Sequence, residues 1–132
     1  MTGQDRNSDN ATPAPDLGAL QDTLGYQFKS PQLLAQALTH ASAAKDRLQS
    51  NERFEFLGDR VLGLVIAELL LEAYPDEDEG KIGYRFSALA RGEALARIAG
   101  DIGLGDHIVS AKCKDGSNKG INPSILADCC EA

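Results

Sequence analysis

The sequence predicts an all-α fold, a helical bundle around one long central helix, and three observations carry that prediction. Apolar residues recur at i, i+3, i+4 and i+7 in segment after segment, the spacing of a helix face. Ser30-Pro31 and Asn122-Pro123 each set a capping residue before a proline, the order in which helices start. No segment of any length alternates apolar and polar residues as a strand would. With four Phe, three Tyr and no Trp, the core must pack mainly through Leu, Ala, Ile and Val.

A chain of 132 residues suits one domain that needs no disulfides to bury a core. Residues 1–15 are polar, carry two prolines and almost no large apolar side chains, and are expected to form a disordered tail, with the folded domain at 16–132. Leu17, Leu20 and Leu24 predict a short helix stopped at Gly25. Leu34, Ala37, Leu38 and Ala41 form one apolar stripe behind Ser30-Pro31, a second helix. After a polar connection at 44–50, a long helix is expected over 51–73, ended by Tyr74-Pro75. Its first turns carry acids. Its later part is apolar nearly all round, through Val61, Leu62, Leu64, Val65, Ile66, Leu69 and Leu70, which marks a buried central helix.

An acidic turn at 75–80 leads to a further helical stretch over 81–99, with Glu93 and Arg97 paired on its outside. Gly100, Gly103 and Gly105 then punctuate the chain. Residues 112–120 read as a mobile loop, locally the most basic part of the chain, and a last helix opens at Asn122-Pro123.

Net charge is −7, which argues against a simple nucleic-acid binder with a basic footprint. The balance fits a site that concentrates carboxylates to hold cations. The apolar run at 61–67 is far too short to span a bilayer, and no signal peptide is legible at the N-terminus. Cys113, Cys129 and Cys130 are odd in number, lack C-x-x-C spacing and include an adjacent pair that closes a disulfide poorly. The expectation is a cytoplasmic protein with no membrane association.

Two acidic motifs stand out. Glu52, Glu55 and Asp59 fall at i, i+3 and i+7, within about 60° of arc at roughly 100° per residue. In the last helix Asp128 and Glu131 share the side opposite Ile125, Leu126, Cys129 and Cys130. Two such helices packed with their acids facing would gather carboxylates whose repulsion calls for cations. All-oxygen ligation favours Mg²⁺ or Mn²⁺, and two such ions suit phosphodiester hydrolysis. The competing reading is plain: first-turn acids are expected from the helix dipole, and exposed acids are usually solvated. Spacing alone leaves both open. His40 and His107 read as capping or surface residues, and Cys129-Cys130 fits no usual zinc spacing. Gly58 and Gly63 each weaken the long helix by about 1 kcal/mol relative to Ala; close helix approach, as at a dimer seam, would explain them, and mere tolerance is the alternative.

The run Asn51-Glu52-Arg53-Phe54-Glu55-Phe56-Leu57-Gly58-Asp59 resembles the ribonuclease III signature, in which Leu usually stands at the position of Phe54. Leu38-Thr39-His40 with Ser42, the turn Asp78-Glu79-Gly80, and Ser124 to Asp128 with Glu131-Ala132 resemble further landmarks of that family, in family order. The resemblance covers most of residues 16–132. It implies an Mg²⁺-dependent endonuclease for double-stranded RNA, with Mn²⁺ as a substitute, acting as a homodimer in ribosomal and messenger RNA processing. It implies that Glu55, Asp128 and Glu131 hold metal, that Asp59 and Glu131 are catalytic, and that Glu52 and Glu79 support substrate or dimer contacts. Three departures stand against the family pattern: Ala41 for an Arg, Arg60 for a small residue, and Gly83-Tyr84 for Ser-Arg. The family's last motif continues into an apolar helix and a basic RNA-binding domain. The resemblance therefore implies an incomplete last helix here, and as the alternative to an active enzyme a weak or inactive RNA-binding or dimerisation fragment. A nucleotide phosphohydrolase is the remaining rival.

Overall fold

A computed structural model describes residues 16–111 and 120–132. The tail expected at 1–15, and the basic loop with Cys113 except for Gly120, lie outside the described residues. Among those residues there are six α-helices and no strand: α1 (Gly18–Leu24), α2 (Pro31–Ala37), α3 (Glu52–Ala73), α4 (Glu79–Ala90), α5 (Gly92–Asp101) and α6 (Pro123–Glu131). Short 3₁₀ turns at Arg47–Gln49 and Leu104–His107 precede α3 and follow α5. None of the helices is long and apolar enough to cross a membrane.

Local chemistry sets the ends. α1 stops at Gly25, whose φ of 66° is left-handed and favours glycine, and whose N–H donates to the Asp22 carbonyl. Asn122 accepts a hydrogen bond from the Ser124 N–H through its side chain (2.8 Å), with Pro123 at the first helical position. Asp78 caps α4 by accepting from the Lys81 N–H (3.0 Å). The stripe expected to carry α2 on to Ala41 breaks earlier. α2 ends at Ala37, and the chain beyond it pairs with residues 108–110 in an isolated parallel bridge between Thr39 and Val109. There the His40 N–H donates to the Val109 carbonyl and the Val109 N–H to the Leu38 carbonyl, both at 2.9 Å. These bonds satisfy the backbone once the helix has stopped.

The single stretch expected over 81–99 is two helices. Arg91 turns extended (ψ 147°) and its carbonyl starts α5 by accepting from Ala94 and Leu95. The break lets α4 pack on α3 while α5 buries Leu95 and Ala99 and packs on α6. The expected Glu93–Arg97 ion pair does not close: the described ion pairs are Arg47–Glu52, Arg60–Asp59 and Arg85–Glu77.

The core lies among α1, α2, α5 and α6, through Leu20, Leu34, Leu38, Ala99, Leu104, Ile108, Ile125 and Cys129. The long helix therefore departs from expectation. α3 positions the site but is not buried: Leu70 is its one buried residue, and Phe56, Leu57, Val61, Leu64, Val65 and Leu69 are exposed. Its apolar residues run round more of the helix than its neighbours cover. Leu57, Val61, Leu64 and Leu71 fall within about 80° of arc at roughly 100° per residue, an apolar face with Leu64 72% exposed near its middle.

Candidate metal centre

Three features fix the start of α3 and dock α6 against it. Gln36 Nε2 donates to the carbonyls of Leu48 and Ser50, both at 3.1 Å, and holds the turn that leads into α3. The Asn51 N–H donates to the Thr39 carbonyl (2.9 Å), and its buried amide Nδ2 donates to Cys129 Sγ on α6 (3.2 Å). Further along α3, Gly58 faces the last turn of α6. A Cβ at this position would overlap the Glu131 backbone carbonyl and come within 2.7 Å of its carbon. The close approach expected at Gly58 is thus between α3 and α6 of the same chain. Gly63 is less crowded, its nearest neighbour being the Phe86 ring at 3.4 Å.

This docking brings together carboxylates distant in sequence. Glu55, Asp128 and Glu131 each offer an oxygen, and these atoms lie within 4.8 Å of one another. All three side chains belong to half-buried residues. Burial pushes the Glu55 carboxyl above its usual range, and Asp128, Glu52 and Asp59 push it further. Burial also raises Glu131, followed by Asp59, Glu55 and Asp128. Asp128 is raised by burial against a smaller opposing influence of His40. The cluster is an excess of negative charge with oxygen donors only, the environment that a hard divalent cation relieves. These residues fit such an ion.

The other candidates sit around this trio. Asp59 is exposed on α3, one turn beyond Glu55, close enough to raise both Glu55 and Glu131, with Arg60 at 3.7 Å. Glu52 turns instead to Arg47, which donates through Nη2 (2.8 Å) and Nε (3.2 Å) and holds its carboxyl below the ordinary range. Glu79 opens α4, exposed and outside the grouped carboxylates. Arg60, a departure from the family pattern, folds back along α3. Its guanidinium covers the Phe56 ring at 3.5 Å and donates to the Phe56 carbonyl at 2.7 Å, leaving the trio open. Sequence reasoning treats Asn51 as a mere helix boundary and misses its tether, though a polar residue immediately before the acids is where a buried link between two helices would be sought. Cys129 and Cys130 pack α6 as free thiols; burial, the largest influence, raises both, Cys129 to about 12.

Six helices among the described residues present three converging carboxylates from two of them, an acidic cluster of oxygen donors that could hold a metal ion. Residues 30–132 match the family described as Ribonuclease-III-like, and the chain belongs to that family. It is 42% identical over 119 residues to Ribonuclease 3 of Methylocella silvestris, covering 90% of this chain and 50% of the relative. Against Ribonuclease 3 of Jannaschia sp. the identity is 46% over 120 residues, covering 91% and 53%. The chain thus spans about half the length of the curated relatives it matches. A solved nuclease domain of ribonuclease III from Campylobacter jejuni, described as having a region involved in dimer formation, superposes with a TM-score of 0.79 at 39% identity, covering 88% of this chain and 80% of that one.

Proposed function

We propose that residues 16–132 form a nuclease domain that hydrolyses phosphodiester bonds of double-stranded RNA with Mg²⁺, Mn²⁺ substituting, in the cytoplasmic processing of ribosomal and messenger RNA. The observation that carries this reading is the convergence of Glu55, Asp128 and Glu131 within 4.8 Å. These three would hold the metal, which when bound polarises a phosphate oxygen and makes water a nucleophile at neutral pH. Asp59, exposed beside them, offers a carboxylate oxygen that can take up a proton where the RNA strand arrives. Glu52, restrained by Arg47, supports the start of α3 with its charge already paired. Glu79 faces solvent, where it can contact substrate or a partner. Double-helical RNA presents phosphates and 2′-hydroxyls rather than base edges, so bound cations would have to supply attraction that this acidic domain lacks, and the domain alone should bind RNA weakly. Long RNA duplex incubated with the protein is expected to be cut in Mg²⁺ and left intact in EDTA. Intact duplex in Mg²⁺ at high protein concentration, from a folded protein, would overturn the reading.

The same reading includes a homodimer. The exposed apolar face of α3 adjoins an open groove of about 460 Å³ bordered by Leu57, Val61, Val65 and Cys130, a surface that a second copy can cover. Replacing Leu64 by Glu places an unpaired charge near the middle of that face. Light scattering is expected to show the wild type as a dimer and Leu64→Glu as a monomer that keeps its helical circular dichroism. A monomeric wild type removes the dimer from the proposal.

A further inference from the structure

His40 reads from sequence as a capping or surface residue, but the structure gives it a fixed orientation beside the acidic cluster. Its backbone is clamped to Val109, and the neighbouring Thr39 carbonyl accepts from Asn51 at the start of α3. Its ring nitrogen Nδ1 lies 2.8 Å from Ser42 Oγ and 3.2 Å from the Ser42 backbone nitrogen. A backbone N–H can only donate, so Nδ1 accepts, and the neutral ring carries its proton on Nε2. Ser42 Oγ accepts from the Ala111 N–H (3.1 Å) and lies 3.2 Å from Ser110 Oγ. Either of the Ser42 and Ser110 hydroxyls can donate to the other, and with Nδ1 accepting from the Ser42 N–H the ring proton stays on Nε2.

Nε2 is thereby a fixed N–H donor. It has no hydrogen-bond partner among the described residues, and no unpartnered side-chain nitrogen or oxygen is buried among them, so this N–H is open to solvent. The ring is also close enough to Glu52 and Asp128 to interact electrostatically with both. Its segment lies against the start of α3 through the Asn51 N–H on the Thr39 carbonyl, and Asn51 in turn reaches Cys129, the neighbour of Asp128 on α6.

We propose that His40 is a substrate-binding residue of this site, its Nε2–H donating to a backbone phosphate of the RNA strand that passes Asp128. The inference rests on the nuclease reading above but not on the metal: it concerns grip on the strand rather than the bond-breaking step. Two substitutions separate the ring's two edges. His40→Gln keeps a donor near the place of Nε2 and gives up the Nδ1 acceptor; His40→Asn keeps an acceptor near Nδ1 and gives up the outer donor.

The experiment measures binding of a fluorescein-labelled RNA duplex by anisotropy, cleavage of the same duplex, and the melting temperature with and without Mg²⁺. His40→Asn is expected to weaken RNA binding and raise KM by about tenfold or more, the loss of one hydrogen bond to a charged acceptor, with kcat at saturating RNA and the Mg²⁺-induced stabilisation retained. His40→Gln is expected to recover most of that binding even where it melts lower. The reverse order, with His40→Asn near wild type and His40→Gln weak, shows that the ring only holds Ser42 and overturns the inference. If wild type cleaves the duplex and His40→Asn binds it unchanged, this inference falls alone. If wild type neither binds nor cleaves, the nuclease reading falls with it.

Discussion

Replacing Glu131 by Gln is expected to abolish Mg²⁺-dependent cleavage of double-stranded RNA while making the metal-free protein more stable. The two effects have one cause. Glu131 is half-buried, its carboxyl raised first by burial and then by Asp59, Glu55 and Asp128. Without a cation its charge works against folding; with one, on the proposed reading, it would be a ligand. Losing it removes one of three converging oxygens, and a metal-centred reaction should fall by roughly a thousandfold, equivalent to about 4 kcal/mol of transition-state stabilisation. The pH dependence has a definite sign. Glu55, Asp128 and Glu131 all have folded-state pKa values above their unfolded ones. Their contribution to stability is therefore complete below the unfolded values, about pH 4, and is lost as pH rises through the folded values. Metal-free wild type should melt progressively lower from about pH 4 towards neutrality, Mg²⁺ should reverse the trend at neutral pH, and Glu131→Gln should flatten both responses. Calorimetry in EDTA and in Mg²⁺ reads all three. Wild type with an unchanged melting temperature in saturating Mg²⁺, or Glu131→Gln retaining full cleavage, would remove the metal centre from the account.

The helices and the two acidic stripes are legible because they rest on local rules. Asn122-Pro123 and Gly25 end helices through contacts within a few residues, and α2 starts at Ser30-Pro31 as expected although the Ser30 side chain makes no cap hydrogen bond. Helical spacing sets Glu52, Glu55 and Asp59 on one stripe and Asp128 with Glu131 on another, whereas the grouping of Glu55 with Asp128 and Glu131 is implied by the family resemblance. What periodicity cannot supply is the surface each face meets. The apolar residues of α3 read as a buried helix, yet the core forms beside it and leaves Leu57, Val61 and Leu64 exposed. A sequence shows that a face must be covered but not whether the same chain covers it. The break at Arg91 is invisible for a related reason: residues 81–99 have helical periodicity on both sides of it, and only the separate demands of α3 and α6 require a turn. Glu52 lies on the acidic stripe by angle but is drawn off by Arg47, five residues earlier in a connection without periodicity. His40 stays hidden because its orientation depends on Ser110, far along the chain.

Gly58→Ala reverses the usual sign of a helix substitution. In the middle of an exposed helix this change stabilises by about 1 kcal/mol, because Gly gives up more backbone freedom on folding. Gly83 in α4 is such a case: a Cβ there meets nothing within 4 Å, and Gly83→Ala should raise the melting temperature. At Gly58 the added methyl would overlap the carbonyl of Glu131, a backbone atom that cannot swing aside as a side-chain tip would. The last turn of α6 must lift, which loosens the packing of Cys129 and the hydrogen bond from Asn51. Overpacking of this kind costs about 1–3 kcal/mol, enough to outweigh the helix gain and lower the melting temperature by on the order of 5 °C. The displaced atom belongs to a proposed metal ligand, so the damage should also reach the site: Mg²⁺ should stabilise Gly58→Ala less than wild type, and cleavage should fall further than the loss of folded protein explains. Gly83→Ala, measured in parallel, should keep the full response to Mg²⁺. A Gly58→Ala protein that melts as high as Gly83→Ala and responds equally to Mg²⁺ would show that α6 does not lie against α3 at this point, and that Glu131 owes its position to something other than the missing side chain.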